Sequence, residues 1–256
     1  MSILRRFWSI VNLQTFIVLI MAFAATYLCR IYEITVNLPT TLIGIAIVFP
    51  IVFSINAAYR RREEALRYFA SLKAHGMSIY FAFRDWPPEN KALAEPMRAK
   101  LSSLLQALRT KFITPEDFKE DFHKIYEIFS DLSRMMEDLR HSGVPANEIS
   151  RTNQYLRAMI IEFERMRNIF LYRTPKALRA YSQIFLNTFP ILYAPYFAHL
   201  SNDSAVWVGF LVAGLYSLVL VSLDNIQESL ENPFDAVGVD DVDLDIADEY
   251  ASLMKD

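Results

Sequence analysis

Ile45, Phe49 and Phe53 recur every four residues inside a long apolar run, so they fall on nearly one face of a helix. Bulky apolar side chains repeated around a shared axis form a narrow hydrophobic ring, which gates ions by dewetting. A single chain does not reveal an axis, and lipid-facing or packing residues use the same spacing. The opposite faces carry Ile47, Val48, Ile51 and Val52. Residues for covalent chemistry are sparse by comparison. There is no H-E-x-x-H, no G-x-S-x-G, no P-loop and no glycine-rich dinucleotide fingerprint. His75, His123, His141 and His199 are scattered without metal spacing. The one cysteine, Cys29, excludes a Cys-rich zinc cluster and an intrachain disulfide.

The elements that must position such a face follow from composition. The 256 residues are 53% hydrophobic, too apolar for an ordinary soluble domain, yet 21% charged, too polar for burial wholly in lipid. The two properties are segregated along the chain. Four runs approach the roughly 20 apolar residues a bilayer-spanning helix needs: Ile10–Cys29, Thr40–Ala58, Tyr181–His199 and Ala205–Leu223. They divide the chain into an N-terminal transmembrane hairpin (1–59), a cytosolic helical domain (60–179), a C-terminal hairpin (180–223) and an acidic tail (224–256). The first run has Arg5 and Arg6 in front and a small-residue site at Ala22-Phe23-Ala24, as a signal peptide would. It continues through Cys29, longer than a signal core, and is read as a retained helix. Arg5, Arg6, Arg60–Arg62, Arg67, Arg173, Lys176 and Arg179 flank the spans, while the short hairpin loops offer only Arg30 and His199. The positive-inside rule then places both termini and the central domain in the cytoplasm.

The central region reads as helix throughout. Phe118, Phe122, Ile125, Phe129, Leu132, Met136 and Leu139 alternate spacings of four and three, a coiled-coil-like stripe. Thr114-Pro115-Glu116-Asp117 is a good start for that helix, and Gly143 followed by Pro145 a good end. An earlier helix carries Leu101, Leu105, Leu108 and Phe112 on one face, and a later one, about 147–172, turns Leu156, Ile160 and Phe163 inward. Thr174-Pro175 reads as the cap of the helix that becomes the third span. None of the four spans holds Asp, Glu, Lys or Arg in its middle, unlike proton relays, coupled carriers and voltage sensors. Their polar residues, Asn12, Gln14, Asn56, Gln183 and Asn187, sit mostly near the ends, and Pro50, Pro190 and Pro195 break the backbone ladders of spans two and three.

One helix runs from the second span into the charged region without a turn residue, and a family resemblance lies at that junction. The stretch 53–65, F-S-I-N-A-A-Y-R-R-R-E-E-A, resembles the bestrophin pattern F-R-x-N-x-x-Y-x-R-W-x-E-A. Phe53, Asn56, Tyr59, Arg61, Glu64 and Ala65 match; Ser54 replaces the family Arg and Arg62 the aromatic. A second patch, Glu231-Asn232-Pro233-Phe234, is similar to the family's E-N/D-P-F. The order of parts also agrees: two spans, a helical insert, two spans, then N-P-F.

The resemblance implies an all-α membrane protein, a homopentamer in which the second span of each subunit lines a central pore for inorganic ions. The family's apolar neck falls on Ile45, Phe49 and Phe53. A second, cytosolic constriction follows an E-R pair, here Glu164-Arg165, and points to Met166. The family's T-P-x-P-F run after it is not cleanly present in 168–172, and a flexible Met serves equally as gate or gap filler. The run Gly238-Val239-Asp240-Asp241-Val242-Asp243 can be laid on the family's calcium-binding acidic run, which puts Asp240 and Asp243 on the carboxylate ligands. Asp235-Ala236-Val237 interrupts that motif, prokaryotic members commonly lack the site, and a solvated acidic tail is the other reading. Calcium is the one cofactor implied, and no motif calls for nucleic acid. Phenylalanine edges at an axis favour a dehydrated anion and faces a cation; the reading is a chloride-like channel, with a cation-selective channel as alternative. A membrane-anchored helical scaffold without a pore competes with both, as does a membrane enzyme with an unrecognised site. The aligned Ile45/Phe49/Phe53 face favours the channel over the scaffold.

Overall fold

The computed structural model describes residues 12–37, 40–88, 91–113, 122–172, 176–203, 205–238 and 240–254. Among these, all regular structure is helical: α1 (Leu13–Ile31), α2 (Thr40–Asp85), a 3₁₀ turn (Lys91–Leu93), α3 (Ala94–Ile113), α4 (His123–His141), α5 (Ala146–Leu171), α6 (Lys176–Leu192), α7 (Ala194–Asp203), α8 (Val206–Glu231) and α9 (Ala247–Leu253). Arg5, Arg6, Thr114–Phe118 and Arg173–Pro175 lie outside the described residues, as do the side chains of Ile45, Pro50, Lys176 and Arg179. The chain forms two compact units, Met1–Arg60 with Thr174–Glu231, and Arg61–Arg173 with Asn232–Asp256.

In the first unit, α1 packs against α6, α7 and α8. Its start is set by Asn12, whose Oδ1 accepts from Thr15 N (3.1 Å) while Asn12 N donates to Thr15 Oγ1 (3.3 Å), a reciprocal capping box. α1 and α8 are long and apolar enough to cross a membrane, and only 22% and 28% of their apolar windows is buried within the chain. A core helix of a soluble protein would be covered on most sides, whereas these present apolar surface outward. Gly209 is required for close packing: a Cβ there would stand 2.0 Å from Ser201 Oγ and 2.1 Å from the Phe197 carbonyl oxygen of α7. Gly209, Ala213 and Ser217 form a buried small-residue row on α8, the pattern by which helices approach closely in lipid.

The expected third span, Tyr181–His199, is not one helix. It is α6 and α7, divided at Tyr193. Pro190 lies inside α6, where its ring and missing N–H disrupt the ladder. Pro195 falls in the first turn of α7, where an absent donor costs nothing. The Tyr193 and Phe197 N–H groups keep four-residue hydrogen bonds on either side of the break, to Phe189 O and Tyr193 O. The helix that holds the expected fourth span, α8, continues past Leu223 to Glu231.

In the second unit, the expected stripes are the core. Ile125, Phe129, Leu132, Met136 and Leu139 of α4 are buried together with Leu101, Leu105, Leu108 and Phe112 of α3 and Leu156 and Phe163 of α5. α3 packs on α4, and α4 on α5. Gly143 closes α4 with φ of +87°, a left-handed residue that terminates the helix. Residues 232–254 are not a free tail. Phe234, Val242, Leu244, Ile246, Ala247 and Met254 belong to the same core, and α9 packs against α3.

Candidate functional site

The C-terminal part of the α2 segment within the first unit is two-faced. Ile51, Ser54 and Ala58 are buried, at 2%, 0% and 1% exposure. Phe49, Val52 and Phe53 are 63%, 56% and 54% exposed, and Asn56 and Tyr59 are open as well. At 100° per residue the exposed positions cluster opposite the buried ones. The Phe49 and Phe53 rings meet edge to face, centroids 4.7 Å apart at 76°. This chain therefore leaves uncovered the aromatic pair that the four-residue spacing singled out, with polar Asn56 beyond it in sequence.

A second constellation lies in the same unit, where sequence reasoning missed its centre. Gln14 Nε2 donates to Asn187 Oδ1 (2.9 Å); Asn187 Nδ2 donates to Gln183 O (2.8 Å) and to Asp224 Oδ2 (3.4 Å). Beside it, Asn12 Nδ2 donates to Asn225 Oδ1 (2.9 Å), and Asn225 Nδ2 to Thr15 Oγ1 (3.4 Å). Three helices, α1, α6 and α8, are tied by polar side chains, of which Thr15 and Asp224 are buried and Gln14, Asn187 and Asn225 half-buried. Asp224, Gln227 and Glu231 are 5%, 4% and 4% exposed. Ending the fourth span at Leu223 hid them. The signal was present: Ser217, Asp224 and Glu231 repeat at seven, on the face of the Gly209 row. Ionisable groups buried in apolar helices are expensive and are kept by partners of this kind.

The later residues of both family-like patches, from Arg61 and from Asn232 onward, lie in the second unit. The Arg61 guanidinium donates to the Ile169 and Tyr172 carbonyl oxygens at the C-terminus of α5. It supplies donors to end-of-helix carbonyls and a positive charge at the negative pole of the dipole. Arg62 Nε donates to Asp240 O (2.7 Å). From the second patch, Asn232 Nδ2 donates to Asp235 Oδ2 (2.8 Å), and Phe234 stacks on Phe112 at 4.8 Å. Phe112 in turn meets Phe170 of α5 edge to face at 5.2 Å. Both patches thus converge on one end of α5. Glu64 is exposed.

Met166 is 0% exposed inside its own subunit, in the core with Phe163 and Ile169. Within the single chain the side chain fills the helical core, the position the gap-filler reading describes. Asp240 and Asp243 do not fit a calcium shell. Both are exposed, Asp243 Oδ1 accepts from Asp245 N, and the Asp240 carbonyl faces the Arg62 guanidinium. Among the described residues no three His, Cys, Asp or Glu side chains gather in metal-binding geometry. The acids brought together are Asp235 and Asp241. Partial burial and then the hydrogen bond with Asp235 push the Asp241 carboxyl up to about 6, against the opposing pull of Gly238 N–H at 3.0 Å.

No protein-family model and no curated protein matches this sequence. Solved structures do. A variant of a bacterial bestrophin homologue from Klebsiella pneumoniae superposes with a TM-score of 0.81 at 18% identity, over 94% of this chain and 96% of that one. A second variant of the Klebsiella protein gives 0.80 at 18% identity, over 95% and 98%. A structure described as a membrane protein gives 0.80 at 17% identity, over 94% and 96%. Over nearly its whole length the chain has the fold of the bacterial bestrophin homologues, in agreement with the resemblance carried by 53–65 and 231–234.

Proposed function

We propose that this chain, with its bestrophin fold, is one subunit of a pentameric ion channel of a bacterial inner or plasma membrane, both termini cytoplasmic. Conduction is passive, with no covalent step. The observation that carries the reading is the two-faced α2: Phe49 and Phe53 are uncovered on a helix whose opposite face is buried. In a ring of copies that face meets an axis, and Ile45, Phe49 and Phe53 form three stacked apolar constrictions that open by wetting. The lipid bilayer covers the outward apolar surface of α1 and α8. Chloride-like anions are the favoured ions, since ring edges offer the positive rim of the aromatic quadrupole.

A repeated heterologous contact must close on itself or grow into a filament. Intact mass measurement in mild detergent therefore tests the assembly, and the expected species is five copies. A monomer or dimer as the only species removes the pore. Reversal potentials under asymmetric salt test selectivity, and a cation-permeable current refutes the anion reading while leaving the channel.

A further inference from the structure

The Phe49/Phe53 face of α2 does not end at the aromatic pair. Asn56 and Arg60 follow at spacings of three and four, and both are exposed. At 100° per residue Phe49, Phe53, Asn56 and Arg60 fall within about 60° of one another around the helix. The buried Ala58 lies on the opposite side, about 160° from Arg60. All four exposed residues belong to the first unit. The three successive arginines differ in what holds them. Arg61 donates to the carbonyl oxygens that end α5, while Arg62 pairs with Glu63 and donates to Asp240 O. Arg60 has no hydrogen bond or ion pair among the described residues. Glu64, the next carboxylate along α2 but one, forms no ion pair with it. A guanidinium is never deprotonated in proteins, so the Arg60 charge is fixed and held by no partner.

These four residues differ in the sign they offer an ion. A phenylalanine ring has a positive edge and a negative face, and an amide both donates and accepts, so Phe49, Phe53 and Asn56 suit either charge. Arg60 alone among them has a fixed sign. An arginine that only anchors the span at the inner leaflet needs no alignment with the aromatic pair. The family pattern leaves this position open between the Tyr59 and Arg61 matches, so the motif does not dictate it. Resting on the channel reading, we infer that Arg60 is a specificity-determining residue of the pore: five copies form a cationic ring on the cytosolic side of the neck, which gathers anions and repels cations. Rings of charged side chains select ions in this way. Arg60 follows Phe53 by seven residues, about 10 Å along the helix and close to the screening length of about 8 Å at physiological ionic strength. The ring thus acts on ions at the mouth of the neck without lining it, and added salt weakens it.

The test uses the full chain in planar phosphatidylcholine bilayers under potassium chloride gradients, and compares the parent with Arg60→Lys, Arg60→Gln and Arg60→Glu. Intact mass measurement checks that each variant assembles as the parent does, the result expected for an exposed side chain without partners. By reversal potential the parent and Arg60→Lys should both be chloride-selective. At about 50 mM salt Arg60→Gln should lower chloride conductance about tenfold, the lower end of what a charged cleft gains in local ion concentration. That deficit should close toward about 1 M salt, where the screening length is about 3 Å. Arg60→Glu should reverse the selectivity; if it fails to assemble, the comparison of Arg60→Lys with Arg60→Gln decides. Unchanged selectivity and salt dependence in Arg60→Gln overturn this inference and leave the channel, as does a potassium-selective parent. Loss of assembly in Arg60→Gln overturns it as well, since the residue would then be structural. No current from the parent overturns the channel reading and this inference with it.

Discussion

Replacing Phe49 and Phe53 by alanine separates a pore lining from a packed core. With 63% and 54% of these residues exposed, less than half of each ring is covered by its own subunit. A phenylalanine buries roughly 200 Å² when fully covered, so at about 25 cal/mol/Å² the loss is at most about 2 kcal/mol per site. The edge-to-face contact between the two adds about 0.5–1.5 kcal/mol. Core phenylalanines instead cost about 3–5 kcal/mol each, as expected for Phe163 or Phe83, which are 0% exposed. The double variant should therefore assemble normally. Its current should rise, because the apolar rings have lost bulk and wet more readily. If they hold back ions by even about 1.4 kcal/mol, removing them raises conductance about tenfold. Planar-bilayer recording reports the current and intact mass the assembly, with Ile45→Ala added as a third step. Intact pentamers with unaltered current would place the constriction elsewhere. Collapse of the assembly would show that these side chains are packing residues and sink the neck.

Arg61→Ala removes both hydrogen bonds to the end of α5 and should cost about 2 kcal/mol, seen as a fall in Tm of roughly 4–8 °C; Arg61→Lys, which lacks the planar fork, should recover only part. Gly209→Ala drives a Cβ into Ser201 Oγ and the Phe197 carbonyl oxygen, so Tm should drop by an overpacking cost of about 1–3 kcal/mol; adding Ser201→Ala should restore little, because the backbone carbonyl stays, and full rescue would refute the geometry. Asp241 has a folded pKa near 6, above that of a free carboxyl near 3.8. Its contribution is therefore complete below about pH 4 and lost as pH rises through 6. Amide exchange of the 235–241 segment should accelerate across that window beyond its intrinsic pH dependence, and Asp235→Asn should flatten the change. Calcium or a chelator should leave Tm unmoved, and so should Asp240→Asn with Asp243→Asn; a calcium-dependent Tm would restore the site that the geometry does not fit.

What was legible in the sequence was periodic. The stripes on α3, α4 and α5 appear as the core because each is a one-face pattern that only neighbouring helices can cover. The Phe49/Phe53 face was legible for the same reason, as was the close of α4 at Gly143. What failed were the ends of apolar runs. Hydropathy stops at Leu223, but α8 continues, since Asp224, Gln227 and Glu231 find cover along one face and need not leave the helix. Hydropathy runs smoothly through 181–199, but Pro190 and Pro195 five residues apart divide it. A motif position says nothing of where a side chain points, and Met166 lies in the core of its own chain; in the acidic run it is Asp235, not Asp240 or Asp243, that meets Asp241.

The residues that carry the family resemblance are mostly not those that would touch an ion. Arg61 caps α5, Phe234 stacks into the aromatic cluster at the same helix end, and Asn232 fixes the turn that follows α8. These tasks demand particular side chains: a planar cation on two carbonyls, a flat ring, an amide of defined reach. A pore wall demands only bulk, apolarity and an uncovered position, which Ile, Phe, Val or Met supply alike. This chain shares the fold at 18% identity, with its motif residues placed at structural joints. On the proposed reading, selectivity would follow the shape and orientation of side chains on the exposed face of α2, and a measured current, not the motif, decides between anion and cation.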